Sequence, residues 1–300
     1  MPANPTDDPG VDGADGMPAR ESGEYAKRKL AFIDYYCPLA IDATEKKRAR
    51  RYLDLFAGPG LNIIRETREE VEGGALRVLA SRGRIHPELS FDEAFLVNLS
   101  ASDHAALKAR VERAIAGNRC MVPPGNVHHE HGDANEVLPR LLAHCHKLDY
   151  VLVFADIEAP SHLPWSTIEA LSSQGHKSID LYVLFPLEMG LNRLMPYRDM
   201  PAGHETIITA FFGTEAWKGI LAQRFTEAQS RACMRRLEDL YLQQLQSRWA
   251  RAVKLFDVMR VGRKGLYRML FATNHPAGEK IADWARRQVE GQDQLGLDLR

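Results

Sequence analysis

The residues best suited to chemistry in this chain are carboxylates at the ends of apolar runs. Asp54 follows Tyr52-Leu53, Asp133 follows a short run from Val127 to His131, and Asp156 follows Tyr150-Val151-Leu152-Val153-Phe154-Ala155. A further run, Ala94 to Leu99, carries Asn98 near its end. Short apolar runs bounded by turn residues read as buried strands. In an open α/β sheet the carboxyl ends of parallel strands share one edge, where ligands settle. A buried carboxylate is costly unless it is hydrogen-bonded or paired. Several of them meeting in one crevice would suit a ligand that offers amine, hydroxyl and amide donors.

The first run ends in Leu55-Phe56-Ala57-Gly58-Pro59-Gly60. Glycine reaches positive φ at little cost and lets a ligand approach the backbone closely. Gly-Pro-Gly alone is equally well explained by a tight turn with no ligand. The phrase that begins at Asp54 is more specific.

Other groups could also carry chemistry. His128, His129 and His131 sit in the third short strand, and alternation puts His129 and His131 on one side. No cysteine or acid stands at a known ligand spacing from them, so no metal is expected. The basic run Lys46-Lys47-Arg48-Ala49-Arg50-Arg51 reads as a solvated approach to the first strand or as a phosphate-contacting edge. Between Lys218 and Arg268 basic residues outnumber acids by about three to one. That stretch is either a nucleic-acid face, a solvated face or a protein-binding surface.

The elements that must position these residues alternate. Helical spacing over Glu24 to about Ala40 precedes the first strand. Helices are expected at 75–80, 105–116, 135–146 and 164–173, with a further strand at 181–185. This alternation predicts an α/β fold, a Rossmann-like doubly wound sheet. Residues 1–24 read as a flexible acidic tail, 25–199 and 261–300 as the α/β domain, and 200–260 as a helical insertion. Residues 61–72 carry no clear element. A long amphipathic helix is expected from about Glu227 to Val253, followed by a strand near 266–275 and a closing helix near 279–289.

The formal net charge is −1, so the whole chain is not a general polyanion binder. No apolar run reaches the eighteen or so residues of a membrane span, and no membrane association is expected. The N-terminus carries no signal-peptide pattern. The four scattered cysteines, Cys37, Cys120, Cys145 and Cys233, fit reduced thiols and a cytoplasmic location.

The phrase Asp54-Leu55-Phe56-Ala57-Gly58-Pro59-Gly60 resembles the first motif of class I S-adenosylmethionine-dependent methyltransferases. A wider order of phrases looks like the three-Cys-motif partner protein family: Tyr52 to Gly60, Gly73-Gly74-Ala75-Leu76-Arg77, Gly132-Asp133-Ala134-Asn135, Phe154-Ala155-Asp156 with Trp165, Phe185-Pro186 and Asn192-Arg193. This likeness covers about residues 25–290. It implies a class I methyltransferase-type fold, S-adenosylmethionine as cofactor, and work alongside a separate cysteine-motif partner protein.

Carried over residue by residue, the resemblance has Asp54, Gly58 and Gly60, with Phe56 and Pro59 of the same motif, hold the methionine end. Asp133 would face the adenine amine, with Ala134 beside it. Asp156 would lie between cofactor and acceptor, with His275 bordering the same site. Asp156 or Glu158 would accept the acceptor's proton, although Glu158 reads equally well as a loop acid in water.

Two departures matter. Asn98 stands nearest to where an acid usually takes both ribose hydroxyls, and Asp103 is displaced toward the helix. Asp156-Ile157-Glu158-Ala159-Pro160 replaces the usual Asp-Pro, and no amino-methyltransferase base signature is present. The expected function is therefore methyl transfer to an unknown acceptor, nucleic acid among the candidates. The alternative is a methyltransferase-like scaffold with weak or no turnover. A metal-dependent nuclease ranks last.

Overall fold

In a computed structural model the described residues are 11–173, 175, 178–195, 200–223, 227–260 and 264–294. The chain divides into two compact units, one drawn from Met1–Phe154 with Ile281–Arg300 and one from Ala155–Lys280. This division differs from the expected boundaries.

In chain order the first unit carries β1 (Val11–Asp12), β2 (Pro18–Ser22), α1 (Tyr25–Ala43), β3 (Arg50–Asp54), β4 (Leu61–Ile64), β5 (Glu70–Glu72), α2 (Gly74–Ala80), β6 (Glu93–Asn98), α3 (Ala101–Ala116), β7 (Val127–His131), α4 (Ala134–His144) and β8 (Tyr150–Ala155). Strand β3 pairs in parallel with β6 on one side and β8 on the other, and β6 pairs in parallel with β7. The chain therefore steps outward from β3 through β6 to β7, then returns to the far side of β3. That reversal creates a topological switch point beside β3, where doubly wound sheets take ligands.

Every residue of β3 is buried, as is every residue of β8; β8 is a continuous apolar run, whereas β3 also buries Arg50, Arg51 and Asp54. Helix α3 is capped by Ser100, whose hydroxyl accepts from the Asp103 N–H at 3.2 Å.

Two expectations fail in this unit. Residues 11–22 of the supposed tail and the unassigned stretch 61–72 together form a small sheet of order β1-β2-β4-β5. Composition gave no hint of it, because each strand is too short to show a period. Cross-strand pairing stabilises them jointly, with β2 parallel to β4 and Arg20 opposite Asn62. Residues 1–10 of the expected tail lie outside the described residues.

The basic run divides at β3: Lys46 and Arg48 before it are exposed, as a solvated approach would have them, while Arg50 and Arg51 are buried as the first two residues of the strand. Arg50 donates to Ser90 O at 2.7 Å and to Asp92. Arg51 pairs with Asp149 and Glu93, and Arg48 also reaches Asp149. Asp149 is fully buried. Burial pushes its carboxyl up, but donors from Arg51, the His146 N–H and Arg48 outweigh that and hold it below the ordinary aspartate value.

The second unit carries α5 (Trp165–Ser173), β9 (Ile179–Pro186), α6 (Asn192–Leu194), α7 (Ala202–Phe212), α8 (Ala216–Leu221), α9 (Glu227–Arg248), β10 (Arg251–Arg260) and β11 (Lys264–Thr273). Then α10 (Pro276–Gln294) follows. Strand β11 pairs antiparallel with both β9 and β10. The helical insertion expected over 200–260 is therefore helical only as far as Arg248. Residues 251–260 instead form a strand whose ladder is completed by β11, a partner that a local helical period cannot reveal.

The aromatic core of this unit joins Phe185, Phe211 and Tyr241. The Tyr241 ring stacks on Phe211 at 4.9 Å, and Trp165 meets it edge-on at 5.4 Å. The stripe of α9 is packing surface here, with Leu237, Tyr241 and Leu245 buried. Among the described residues no helix is long and apolar enough to cross a membrane.

Removing one member of a buried ion pair strands the other charge. Asp149→Ala is expected to destabilise the protein by about 3 kcal/mol, read as a fall in the urea midpoint with an unchanged slope.

Candidate functional site

The candidate site in the first unit is built on the turn that follows β3. Asp54 is the last residue of β3 and is 5% exposed. Its Oδ2 accepts from Tyr52 Oη at 2.6 Å, two residues back on the same face of the strand. Its Oδ1 accepts from the Phe56 N–H at 3.2 Å. Asp54 thereby ties the start of the turn to its own strand. Leu55 N–H donates to Phe154 O and Ala57 N–H to Val97 O, so the chain leaves β3 still fastened to both neighbouring strands.

The turn itself is fixed through its carbonyls. Gly58 O accepts from Asn98 Nδ2 at 3.1 Å, at the end of β6. Pro59 O accepts from Arg110 Nη1 at 2.7 Å, on α3. Gly60 O accepts from the Gly73 N–H at 2.9 Å, at the start of α2. Gly58 and Gly60 have φ of +63° and +84°, a region that favours glycine. A Cβ on Gly60 would lie 2.8 Å from Leu107, whereas one on Gly58 would meet only the Arg20 guanidinium carbon, at 3.9 Å. Gly60 is needed for packing. Gly58 leaves a space that a side chain would fill.

Asn98 is a loop clamp, a role its sequence position did not reveal: its amide nitrogen is spent on Gly58. Asp133 ends the β7 connection and caps α4, its Oδ1 accepting from the Asn135 N–H and from Asn135 Nδ2, each at 2.8 Å. Ala134 is buried as the first residue of that helix. Asn98, Asp133 and the turn are joined through backbone, since Gly132 N–H donates to Asn98 O at 3.0 Å. Asp54, Phe56, Gly58, Pro59, Gly60, Asn98, Asp133 and Ala134 all belong to the first unit.

Asp156 and Glu158 belong to the second unit, Asp156 half-buried and Glu158 exposed. His275 is exposed and starts α10, its Nδ1 accepting from the Ala277 N–H at 3.1 Å. It serves that helix end.

Sequence reasoning missed Tyr52, Arg20 and Arg110. Arg110 had a readable signal: a lone arginine within the buried stripe of Ala106, Leu107, Val111 and Ala114 on α3.

His128 and His144 both approach Glu93 Oε1, at 2.8 and 3.1 Å, while His131 Nε2 lies 3.2 Å from Leu99 O. Among the described residues no group of three or more His, Cys, Asp or Glu is arranged to hold a metal ion. An open cavity of about 510 Å³ lies elsewhere in the first unit, lined by Asp34, Glu69, Glu70, Glu72, Arg77 and Ser81. None of the expected site residues lines it.

In the second unit five of the basic side chains between Lys218 and Arg268 pair with acids. Lys218 pairs with Glu205 and Glu215, Arg248 with Glu169, Arg251 with Glu279, and Lys254 and Arg268 with Glu238.

No family model matches this chain, and no curated protein matches it in sequence. Remote likenesses exist among solved structures. LPL1258 from Legionella pneumophila is 13% identical with a TM-score of 0.47, covering 89% of this chain and 93% of its own. Spermidine synthase from Thermotoga maritima is 10% identical at 0.42, covering 90% and 66%. TYW2 of M. jannaschii, in complex with AdoMet, is 8% identical at 0.36, covering 84% and 76%.

Burial lowers the His129 pKa to about 4, with His104 and Lys108 adding to the effect. A histidine depressed in the folded state binds its proton mainly when unfolded, so stability falls as pH drops from about 6.5 toward 4. Denaturant midpoints at pH 7 and pH 5 are expected to fall less in His129→Gln than in the unchanged protein.

Proposed function

We propose that this protein binds S-adenosylmethionine at the turn after β3 and transfers its methyl group to an acceptor. The observation that carries this reading is the turn at the switch point, three of whose carbonyls are each held by a different element while Gly58 leaves room beside it. A nucleoside bearing an amino acid suits such a place. Its amino-acid end can lie against side-chain-free backbone, and its hydroxyl and amine donors can meet acids. In this reading Asp54, Phe56, Gly58, Pro59 and Gly60 shape the cradle for the methionine end. Asp133, beside Ala134, takes the adenine amine, and Asn98 holds the turn in place.

When bound, the cofactor supplies an electrophilic methyl group on a sulfonium. The chain supplies alignment, which alone can account for a large part of such a rate. The resemblance gives Asp156 or Glu158 as the proton acceptor for the attacking group.

A second reading is favoured by Asn98. A neutral amide already spent on Gly58 O leaves no negative charge where the resemblance expects one for the ribose hydroxyls. Weak cofactor binding and little turnover would then suit a scaffold that accompanies a cysteine-motif partner protein, as the resemblance to the three-Cys-motif partner family implies.

Calorimetry of the full chain with S-adenosylmethionine and S-adenosylhomocysteine tests the first reading. Heat is expected with both, and Asp133→Asn, which keeps an oxygen to cap α4, should weaken binding on the order of tenfold. A folded protein that gives no heat with either compound overturns it. Tritiated methyl transfer to proteins or nucleic acid, measured on a protein that does bind, separates enzyme from scaffold. Nucleic acid as acceptor predicts a gel shift that weakens from 50 to 200 mM salt, and no shift at either concentration removes that acceptor class.

A further inference from the structure

Resting on the cofactor reading above, we infer that Arg20 binds the carboxylate at the amino-acid end of the ligand seated on the turn. Nothing in the sequence singles out Arg20. It lies on a strand that composition had assigned to a structureless tail. The structure brings it to the turn by two independent connections.

The first is the small sheet. Strand β4 begins at Leu61, directly after Gly60, and β2 runs parallel beside it with Arg20 opposite Asn62. Alternation then sends successive β2 side chains to opposite faces. Glu21 is committed to Arg65 at 2.9 Å and Arg68 at 3.2 Å. Arg20 therefore takes the other face, and its guanidinium carbon lies 3.9 Å from the place a Cβ on Gly58 would occupy.

The second connection is Arg110, which is 5% exposed. Its Nη1 donates to Pro18 O at 2.6 Å and to Pro59 O at 2.7 Å. Its Nε donates to Asp15 Oδ2 at 3.0 Å, and its Nη2 donates to Asp15 Oδ1 at 2.8 Å and to Met17 O at 3.2 Å. One buried cation thus fastens residues 15–18 and the turn to a single point. Arg20 follows two residues after Pro18, so its backbone is held in place relative to Gly58.

The chemistry follows from the geometry. A planar guanidinium presents parallel N–H donors that match a carboxylate in bidentate fashion. Above Gly58 there is no Cβ to hold the ligand away from the backbone. A zwitterionic amino-acid end would set its carboxylate toward Arg20. Arg20 is thus a binding residue for the anionic end and has no part in the methyl displacement itself.

The test compares S-adenosylhomocysteine with its decarboxylated analogue, which keeps the amine and lacks the carboxylate. Calorimetry is run on the full-length protein and on Arg20→Gln and Arg20→Lys, each checked for an unchanged thermal melt. Arg20→Gln is expected to weaken S-adenosylhomocysteine on the order of tenfold or more and to leave the analogue unchanged. Arg20→Lys should recover part of the loss, because the charge remains while the fork is lost. Equal binding of S-adenosylhomocysteine by Arg20→Gln and the unchanged protein overturns the inference, with the cofactor reading intact. So does an equal loss for both ligands. If Arg20→Gln melts early, Arg20→Lys carries the comparison, and in that variant an equal loss for both compounds also overturns it. If the unchanged protein binds neither compound, the cofactor reading itself fails, and the role of Arg20 fails with it.

Discussion

The turn at Gly58-Pro59-Gly60 leaves its strand with three consecutive carbonyls that no sheet ladder can satisfy, and the first unit is arranged around supplying their donors. Asn98 reaches Gly58 O from the end of β6, Arg110 reaches Pro59 O from α3, and the Gly73 N–H reaches Gly60 O from the start of α2. Each bond contributes about 1 kcal/mol net, but a buried carbonyl left without one costs about 1–3 kcal/mol. The asymmetry explains why three elements are committed to so short a stretch. It also explains the firmness of the turn: its backbone cannot move without breaking contacts to elements far apart in the chain. A preformed surface of this kind loses little freedom on receiving a ligand.

Strand-end acids in this protein do two different jobs. Asp92 and Glu93, at the start of β6, and Asp149, just before β8, neutralise the arginines that enter β3. Asp54 and Asp133, after the strands, fasten a turn and cap a helix. An acid beside a strand is therefore not a functional signal by itself. What distinguishes the carboxyl ends is the reversal of strand order beside β3, which parts the flanking connections, and the missing side chain at Gly58.

The second unit shows how ion pairing takes up part of a charge pattern. Lys218, Arg248, Arg251, Lys254 and Arg268 belong to a stretch with a basic balance in the sequence, and each of these five faces an acid in the fold. Glu238, 5% exposed, serves both Lys254 and Arg268. A single buried acid with two cationic partners weighs little in composition and much in the local field, because charges in a low-dielectric surround interact strongly.

The amino-acid sequence by itself determined the alternating elements, the strand that ends at Asp54 and the glycine turn after it. Those features are local: apolar runs, glycine punctuation and helical spacing act over a few residues. It also marked Asp133 as a strand-end acid, while its role as the cap of α4 showed only in the fold. Tertiary structure decided the rest. The order β8-β3-β6-β7 and the four-stranded sheet made from residues 11–22 and 61–72 rest on partners distant in the chain, and the strand nature of 251–260 rests on its pairing with 264–273. Arg20 became visible only there, and so did the use made of Arg110, because a side chain's use depends on which backbone it is folded against. Asn98 gives the sharpest case. Its position marked it as a substitute for an acid, and the fold turned it into the clamp on Gly58, since a buried carbonyl needed a donor that a carboxylate could not provide.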